Sequence, residues 1–434
     1  MKKKKAKMKK INTVFDGLTD SILSRSDKRY NQKLDKSYIG GDSESNIGLE
    51  ANVTMHKRRI IDNLERYASD EFLEQLKEDF RGLVGKTGQY RHRETIGTHP
   101  DFLDLEDTND IENHYIVSMF VDIKNSTSIY LKTGDLVWTK TFKNTVLKIV
   151  TIFMQVFDGH IHRLQGDAVF SYFGWRDKCE EDAIIDALNA ASFLLYYVEN
   201  GLNTKLQELD LPPVELRVGI DFGEKEEVLW SEYGLPPSTE VTTTSLHTDL
   251  AAKLQNRASA NSIMIGDNIK IFLDLPKEFV EIKKYQRDGK PIEKIYILDR
   301  PEKKYRMWVF RHHNYLKYFP VLENDNFSMI CFSNGEQYYP NLSALEKNAS
   351  LNYEVNDPFM RPQIGSSNIR YVWSKENRGQ EARDNSSEGK LPANKSFKNT
   401  ANEGTQFRGH HVMKCKILQG EREQASLKFG VFIK

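Results

Sequence analysis

The chain has 434 residues, enough for about two or three domains. With 39% hydrophobic and 29% charged residues, it has the composition of a globular protein that buries real cores. Lys+Arg and Asp+Glu each total 62, so no overall charge is left for gripping nucleic acid or an anionic membrane.

The N-terminal "MKKKKAKMKK" is locally basic, but no apolar stretch follows it, so it reads as a solvated tail and not a signal peptide. No segment is long and apolar enough to span a bilayer. The three cysteines, Cys179, Cys331 and Cys415, show neither metal spacing nor an even disulfide set, which suits a reducing cytoplasm. Residues 1–110 are charged; within them Ile60, Ile61, Leu64, Phe72, Leu73 and Leu76 recur at helical spacing, and "GGDSESN" reads as a loop.

From 111 to 302 strands and helices alternate. "IVSMFVDI" reads as a strand and "DLVWTKTFKNTVLKIVTIFMQVF" as a helix. "GHIHRLQGDAVFSYFG" reads as a hairpin turning at Gln165-Gly166-Asp167. "EEDAIIDALNAASFLLYYVENGL" is a second helix, "VELRVGIDFG" a strand, "SLHTDLAAKLQNRA" a third helix, "NSIMIGD" a strand and "KPIEKIYILDR" a closing strand. That mixture predicts an α+β sheet with helices packed on it. From 303 to 434 the segments "RMWVFRH", "FSMICFS", "NIRYVWS", "HHVMKCKIL" and "ASLKFGVFIK" predict a separate β-rich domain. The polar, Gly/Ser/Asn-rich stretch 374–406 within it is expected to be mobile.

One stretch raises a chemical question. In "IVSMFVDIKNSTSIY" an apolar strand delivers Asp122 into a small polar loop. An acid there is often an ordinary loop residue, with Asn125, Ser126 or Thr127 capping the next helix. A second acid, Asp167, sits at the tip of the hairpin. Two carboxylates on adjacent strand tips suit a pair of divalent cations, the common arrangement for in-line displacement at phosphorus. Mg²⁺ favours such sparse carboxylate ligation, with substrate phosphates completing the shell. The backbone N–H groups of Lys124 to Thr127 are then expected to face phosphates.

"FVDIKNST", "GHIHRLQGDAVFSYFG", "LRVGIDFG" and "TDLAAKL", in this order and spacing, resemble the catalytic domain of class III nucleotide cyclases. The resemblance implies a βαββαβ-type core that works as a head-to-tail homodimer with composite sites. It implies that Asp122, Asp167 and the Ile123 carbonyl hold two divalent cations, Mg²⁺ or Mn²⁺. Arg217 matches an arginine that contacts the phosphates, and Lys290 matches a triphosphate-contacting lysine. Lys253 stands where the family has its transition-state arginine, and Asp249 where it has asparagine; an i,i+4 surface ion pair is the plain alternative for these two.

Arg163 and Thr242 occupy the positions that read the base. They match neither the adenine nor the guanine pattern, and they resemble the pyrimidine cyclases of bacterial Pycsar antiphage systems. The region after 303 resembles the sensor domain fused behind such cyclases. The implied activity is conversion of CTP, then UTP, to a 3′,5′-cyclic monophosphate and pyrophosphate. The product would be a second messenger for a separate effector. For Arg163 the plain alternative is pairing with an acid of the partner chain. For the whole protein the alternatives are an adenylate cyclase with unusual base contacts and a decayed nucleotide-binding module.

Overall fold

The structure, a computed structural model, describes residues 70–86, 96–126, 134–208, 212–293, 295–299, 303–319, 327–356, 369–392 and 398–434. The basic tail, the "GGDSESN" loop, the Ile60–Leu64 part of the helical segment and Thr127 lie outside the described residues.

The catalytic region opens with helix α1 (Asp70–Val84), a 3-10 helix (Pro100–Leu105) and strand β1 (Ile111–Asn113). Then come β2 (Ile116–Ile123), α2 (Leu136–Val156), β3 (His160–Gln165), β4 (Ala168–Phe173) and α3 (Glu180–Tyr197). A π turn (Val198–Leu202) and α4 (Asn203–Glu208) lead to β5 (Leu216–Gly223). The βαββαβ order expected from the sequence runs from β2 to β5. After it follow β6 (Leu229–Leu235), β7 (Ser238–Thr244), α5 (Leu246–Arg257), β8 (Ser262–Gly266) and α6 (Asp267–Phe272). Short strands β9 (Val280–Ile282), β10 (Lys284–Arg287), β11 (Lys290–Glu293) and β12 (Ile295–Asp299) precede β13 (Lys303–Phe310).

The main sheet runs β12-β13-β8-β5-β2-β4-β3, with β9 also on β13. β2 lies inside it, antiparallel to both β4 and β5. Val117, Met119 and Val121 pack into the core shared with α1, α2 and α3, while Ile116 joins Phe170, Tyr172, Trp230 and Val241 beneath the small β1-β6-β7 sheet. Burial on both faces is why β2 reads as an unbroken apolar run. Each such side chain adds about 1.5–3 kcal/mol on leaving water.

Two of the helices packed on the sheet, α2 and α5, start at side-chain caps. Asp135 accepts from the Trp138 N–H of α2 at 3.0 Å, and Ser245 accepts from the His247 N–H of α5 at 3.2 Å.

The boundary expected at 303 is corrected. β13 is a strand of the main sheet, paired with β12, β8 and β9. Its Tyr305 hydroxyl donates to the fully buried Asp221 of β5 at 2.6 Å, and Asp221 in turn meets His247 of α5 at 3.1 Å. Burial opposes charge on His247, but Asp221 and Glu227 outweigh it and hold its pKa above the ordinary value.

The β-rich region follows: α7 (His312–Leu316), β14 (Ser328–Ser333), β15 (Glu336–Tyr338), β16 (Ala344–Leu345), β17 (Ser350–Asn356) and β18 (Ile369–Asn377). It closes with α8 (Gln380–Asp384), β19 (Gly389–Pro392), β20 (Thr400–Gly404), β21 (Gly409–Gln419) and β22 (Arg422–Ile433). Sheets β15-β14-β17-β20 and β16-β22-β21-β18-β19 pack around Cys331, Tyr353, Trp373, Cys415, Leu427 and Phe429.

The stretch 374–406, expected to be mobile, holds the end of β18, α8, β19 and β20. Its polarity reflects exposed strand and helix surfaces: Lys375 pairs with Glu403 at 2.7 Å, and Arg383 of α8 with Glu388 at 2.9 Å. Residues 393–397 lie outside the described part. All three cysteines are free, and no helix among the described residues is long and apolar enough to cross a membrane.

Candidate active site

The end of β2 is where the polar chemistry gathers. Asp122 stands in register with Ala168 of β4 and Arg217 of β5. Asp167 lies in the turn just before Ala168, beside Gly166, whose φ of 67° is the left-handed conformation glycine adopts freely. The Asp167 carbonyl accepts from the Ile123 N–H at 3.4 Å. The two acids singled out by the sequence therefore share one corner of the sheet.

Asp122 is nearly buried, and its three donors all reach one oxygen. Arg217 approaches Oδ2 through Nε at 3.0 Å and through Nη2, and Gln255 donates from Nε2 at 3.1 Å. Burial, and next the charge of Asp167, push the Asp122 carboxyl above its ordinary range; Arg217 and Gln255 only partly offset this. An ionised group short of positive charge, next to a second carboxylate, is an oxygen donor set that fits hard divalent cations.

Gln255 reaches this corner because α5 lies against the bare backbone of Gly219 in β5. A Cβ on Gly219 would come within 2.2 Å of the Gln255 backbone nitrogen. Asp249 and Lys253 share a helix face of α5, but Lys253 and Gln255 are two residues apart and point roughly 200° away from each other. Asp249 is exposed and Lys253 half-buried.

Several expected contacts are arranged differently. The Lys124 N–H is committed to the Glu215 carbonyl at 2.8 Å, because the chain still runs beside β5 there, so it does not face a phosphate. Asn125 takes a left-handed φ of 58°, and Ser126 is buried. Arg217 is drawn to the nearest charge, Asp122. Lys290 lies on the exposed two-stranded β10–β11 hairpin, and no described hydrogen bond or ion pair joins it to Asp122, Asp167 or Arg217.

Arg163, on β3 itself, and Thr242 are linked through residues the sequence reading missed, Glu240 and His162. Arg163 pairs with Glu240 of its own chain, because β7 brings Glu240 near β3. His162 Nε2 lies 3.0 Å from Glu240 Oε1 and 3.2 Å from Thr242 Oγ1, and Thr242 Oγ1 also meets the Tyr172 hydroxyl at 3.2 Å. Burial lowers the pKa of His162, which keeps its ring neutral. The β-branched run "TEVTTT" was the available signal for β7.

The match to known proteins agrees with this geometry. A cytidylate cyclase from Staphylococcus aureus is 36% identical over 407 residues, covering 90% of this chain and 94% of that protein. The chain belongs to this family of nucleotide cyclases. A cytidylate cyclase from Escherichia coli is 32% identical over 402 residues, covering 82% of this chain and 87% of its own. Residues 310–434 of the cyclase match the family model of the Adenylyl/Guanylyl and SMODS C-terminal sensor domain. That match starts where β13 ends. The adenylyl cyclase CyaB from P. aeruginosa aligns with 46% of the cyclase and 95% of its own chain, at 16% identity and a TM-score of 0.38.

Proposed function

We propose that this cyclase converts CTP, and UTP less well, to the 3′,5′-cyclic monophosphate and pyrophosphate. The observation that carries the reading is the charge-deficient Asp122 beside Asp167, in a chain whose relatives are named cytidylate cyclases. The ribose 3′-oxygen forms a bond to the α-phosphorus as the bond to the pyrophosphate oxygen breaks. Asp122, Asp167 and the Ile123 carbonyl would hold two divalent cations, Mg²⁺ or Mn²⁺. Bound there, such ions supply the charge that lowers the pKa of the 3′-hydroxyl and stabilises the leaving group. Once Asp122 is neutralised, Arg217 is free to turn its guanidinium to the triphosphate.

The base reading rests on Arg163 and Glu240 acting together. Arg163 donates to O2 and N3 of cytosine, and Glu240 accepts from its amino group, supported by Thr242. Uracil has a carbonyl where cytosine has that amino group, so Glu240 would be left facing an acceptor. An unpaired buried polar group costs about 1–3 kcal/mol, or roughly five- to a hundredfold in preference.

Asp249 and Lys253 lie on the face of α5 opposite Gln255, which supports a homodimer in which they complete the partner's site. The cyclic product would serve as a second messenger for a separate effector, in the antiphage role that the Pycsar resemblance implies.

Incubation with each of the four triphosphates and Mg²⁺ or Mn²⁺ tests this reading by product mass. Cyclic CMP is expected as the main product, with the CTP preference narrowed in Glu240→Gln; a purine product in excess overturns it. In the same assay, mixing inactive Asp122→Ala and Lys253→Ala chains should restore turnover. No recovery between freely exchanging subunits would place the whole site in one chain.

A further inference from the structure

Helix α3 does not end cleanly. It widens into the π turn Val198–Leu202, a form that is rare and concentrates at functional sites. Glu199 lies in that turn. Opposite it stands α7, the first helix of the sensor-domain match, docked on α3 by the Tyr315 hydroxyl donating to Asn189 Oδ1 at 2.6 Å. This contact fixes where His312 and His313 fall.

His313 Nε2 lies 3.4 Å from Glu199 Oε2. The ring of His312 lies against that of His313, with centroids 3.9 Å apart. One ligand atom from each of Glu199, His312 and His313 lies within 4.8 Å of the others. His312 is 4% exposed, and among the described residues its Nε2 has no hydrogen-bond partner.

A surface pair of His313 with Glu199 would account for those two residues alone. It leaves a buried imidazole nitrogen unpaired, at a cost of about 1–3 kcal/mol. A neutral imidazole nitrogen of this kind can serve as a metal ligand. Two imidazoles and a carboxylate are a donor set for zinc-like ions, distinct from the all-oxygen corner at Asp122. Ligand atoms around tetrahedral zinc lie about 3.4 Å apart. The widest separation here must therefore close by up to about 1.4 Å, a movement open to the exposed His313.

We propose that Glu199, His312 and His313 form a site for a Zn²⁺-class ion that fastens the catalytic helix α3 to the first helix of the sensor domain. The ion has no part in the cyclase reaction, and the site does not depend on which nucleotide is used. Only three ligands come from the chain, which leaves a coordination position for water.

The test uses the full chain, stripped with a chelator and then titrated with ZnCl₂ by calorimetry in excess Mg²⁺. One Zn²⁺ per chain is expected, with affinity reduced at least about tenfold in Glu199→Gln and in His313→Ala. Both side chains reach solvent, so folding should survive and circular dichroism will check it. Co²⁺ in the same site should give the intense visible absorption of a low-coordinate, nitrogen-bound ion, lost in His313→Ala. No Zn²⁺ binding, or an affinity unchanged in both variants, overturns the proposal.

Discussion

Asp122 and Asp158 are almost equally buried, at 9% and 8% exposure, yet their carboxyls shift in opposite directions. Asp158 sits between Arg81 at 2.7 Å, Lys86 at 2.9 Å and Lys178 at 3.6 Å. Burial opposes its charge, but Lys86, Lys178 and Arg81 outweigh it and hold its pKa down to about 2. Lys86 and Lys178 also grip Asp186 of α3, so this network pins α1 and the loop after it to the core. Asp122 has a single arginine, a glutamine and a neighbouring acid. Burial alone therefore does not separate a structural acid from a functional one; the number of cations around it does. A fully compensated carboxylate holds the fold, and an under-compensated one is a candidate functional group, the role proposed above for Asp122.

The sharpest way to break this comparison is Asp158→Asn. It leaves three cations facing a neutral group, and breaking a buried ion pair costs about 3–5 kcal/mol. Chemical denaturation should show that loss. The pH dependence follows from the lowered pKa: the stabilisation is present above the unfolded value of about 3.9 and disappears as pH falls towards about 2. A variant as stable as the parent would remove the distinction.

Asp122→Asn should do the reverse. The raised pKa means that the ionised form is the less favourable one in the fold, so the neutral asparagine should leave the metal-free Tm unchanged or higher. Turnover should fall by about 10²–10³ or more. A clear drop in Tm would make Asp122 another structural acid.

The mildest probe is Gly219→Ala. Its methyl would drive α5 off β5 and withdraw Gln255 from Asp122, costing about 1–3 kcal/mol of overpacking and lowering turnover with it. If turnover is lost with no change in Tm, or the reverse, helix placement and site geometry are not linked as described.

Much of the catalytic core was legible because its periodicities are clean. The runs that became β2, α2, α3, β5 and α5 carry unbroken period-two, period-3.6 or continuous apolar patterns. Asp122 and Asp167 were visible because one ends an apolar strand and the other immediately precedes one. Glu240 and Gln255 were not: they reach Arg163 and Asp122 across 77 and 133 residues of sequence, and only the completed sheet brings them there. β13 was assigned to the wrong side of the boundary for a related reason. Its aromatic texture matches the sensor-domain strands, and texture does not say which sheet a strand joins. The polar stretch 374–406 misled because exposed strands paired through Lys–Glu contacts share the composition of a loop.

The Tyr305 hydroxyl on Asp221 has a practical meaning for anyone dividing this molecule. A cut before Lys303 would remove an interior plank of the catalytic sheet and open the buried acid under α5 to water. The natural graft point for exchanging the C-terminal module lies after Phe310. A chimera joined there would keep the floor beneath the helix that carries Gln255 and Lys253.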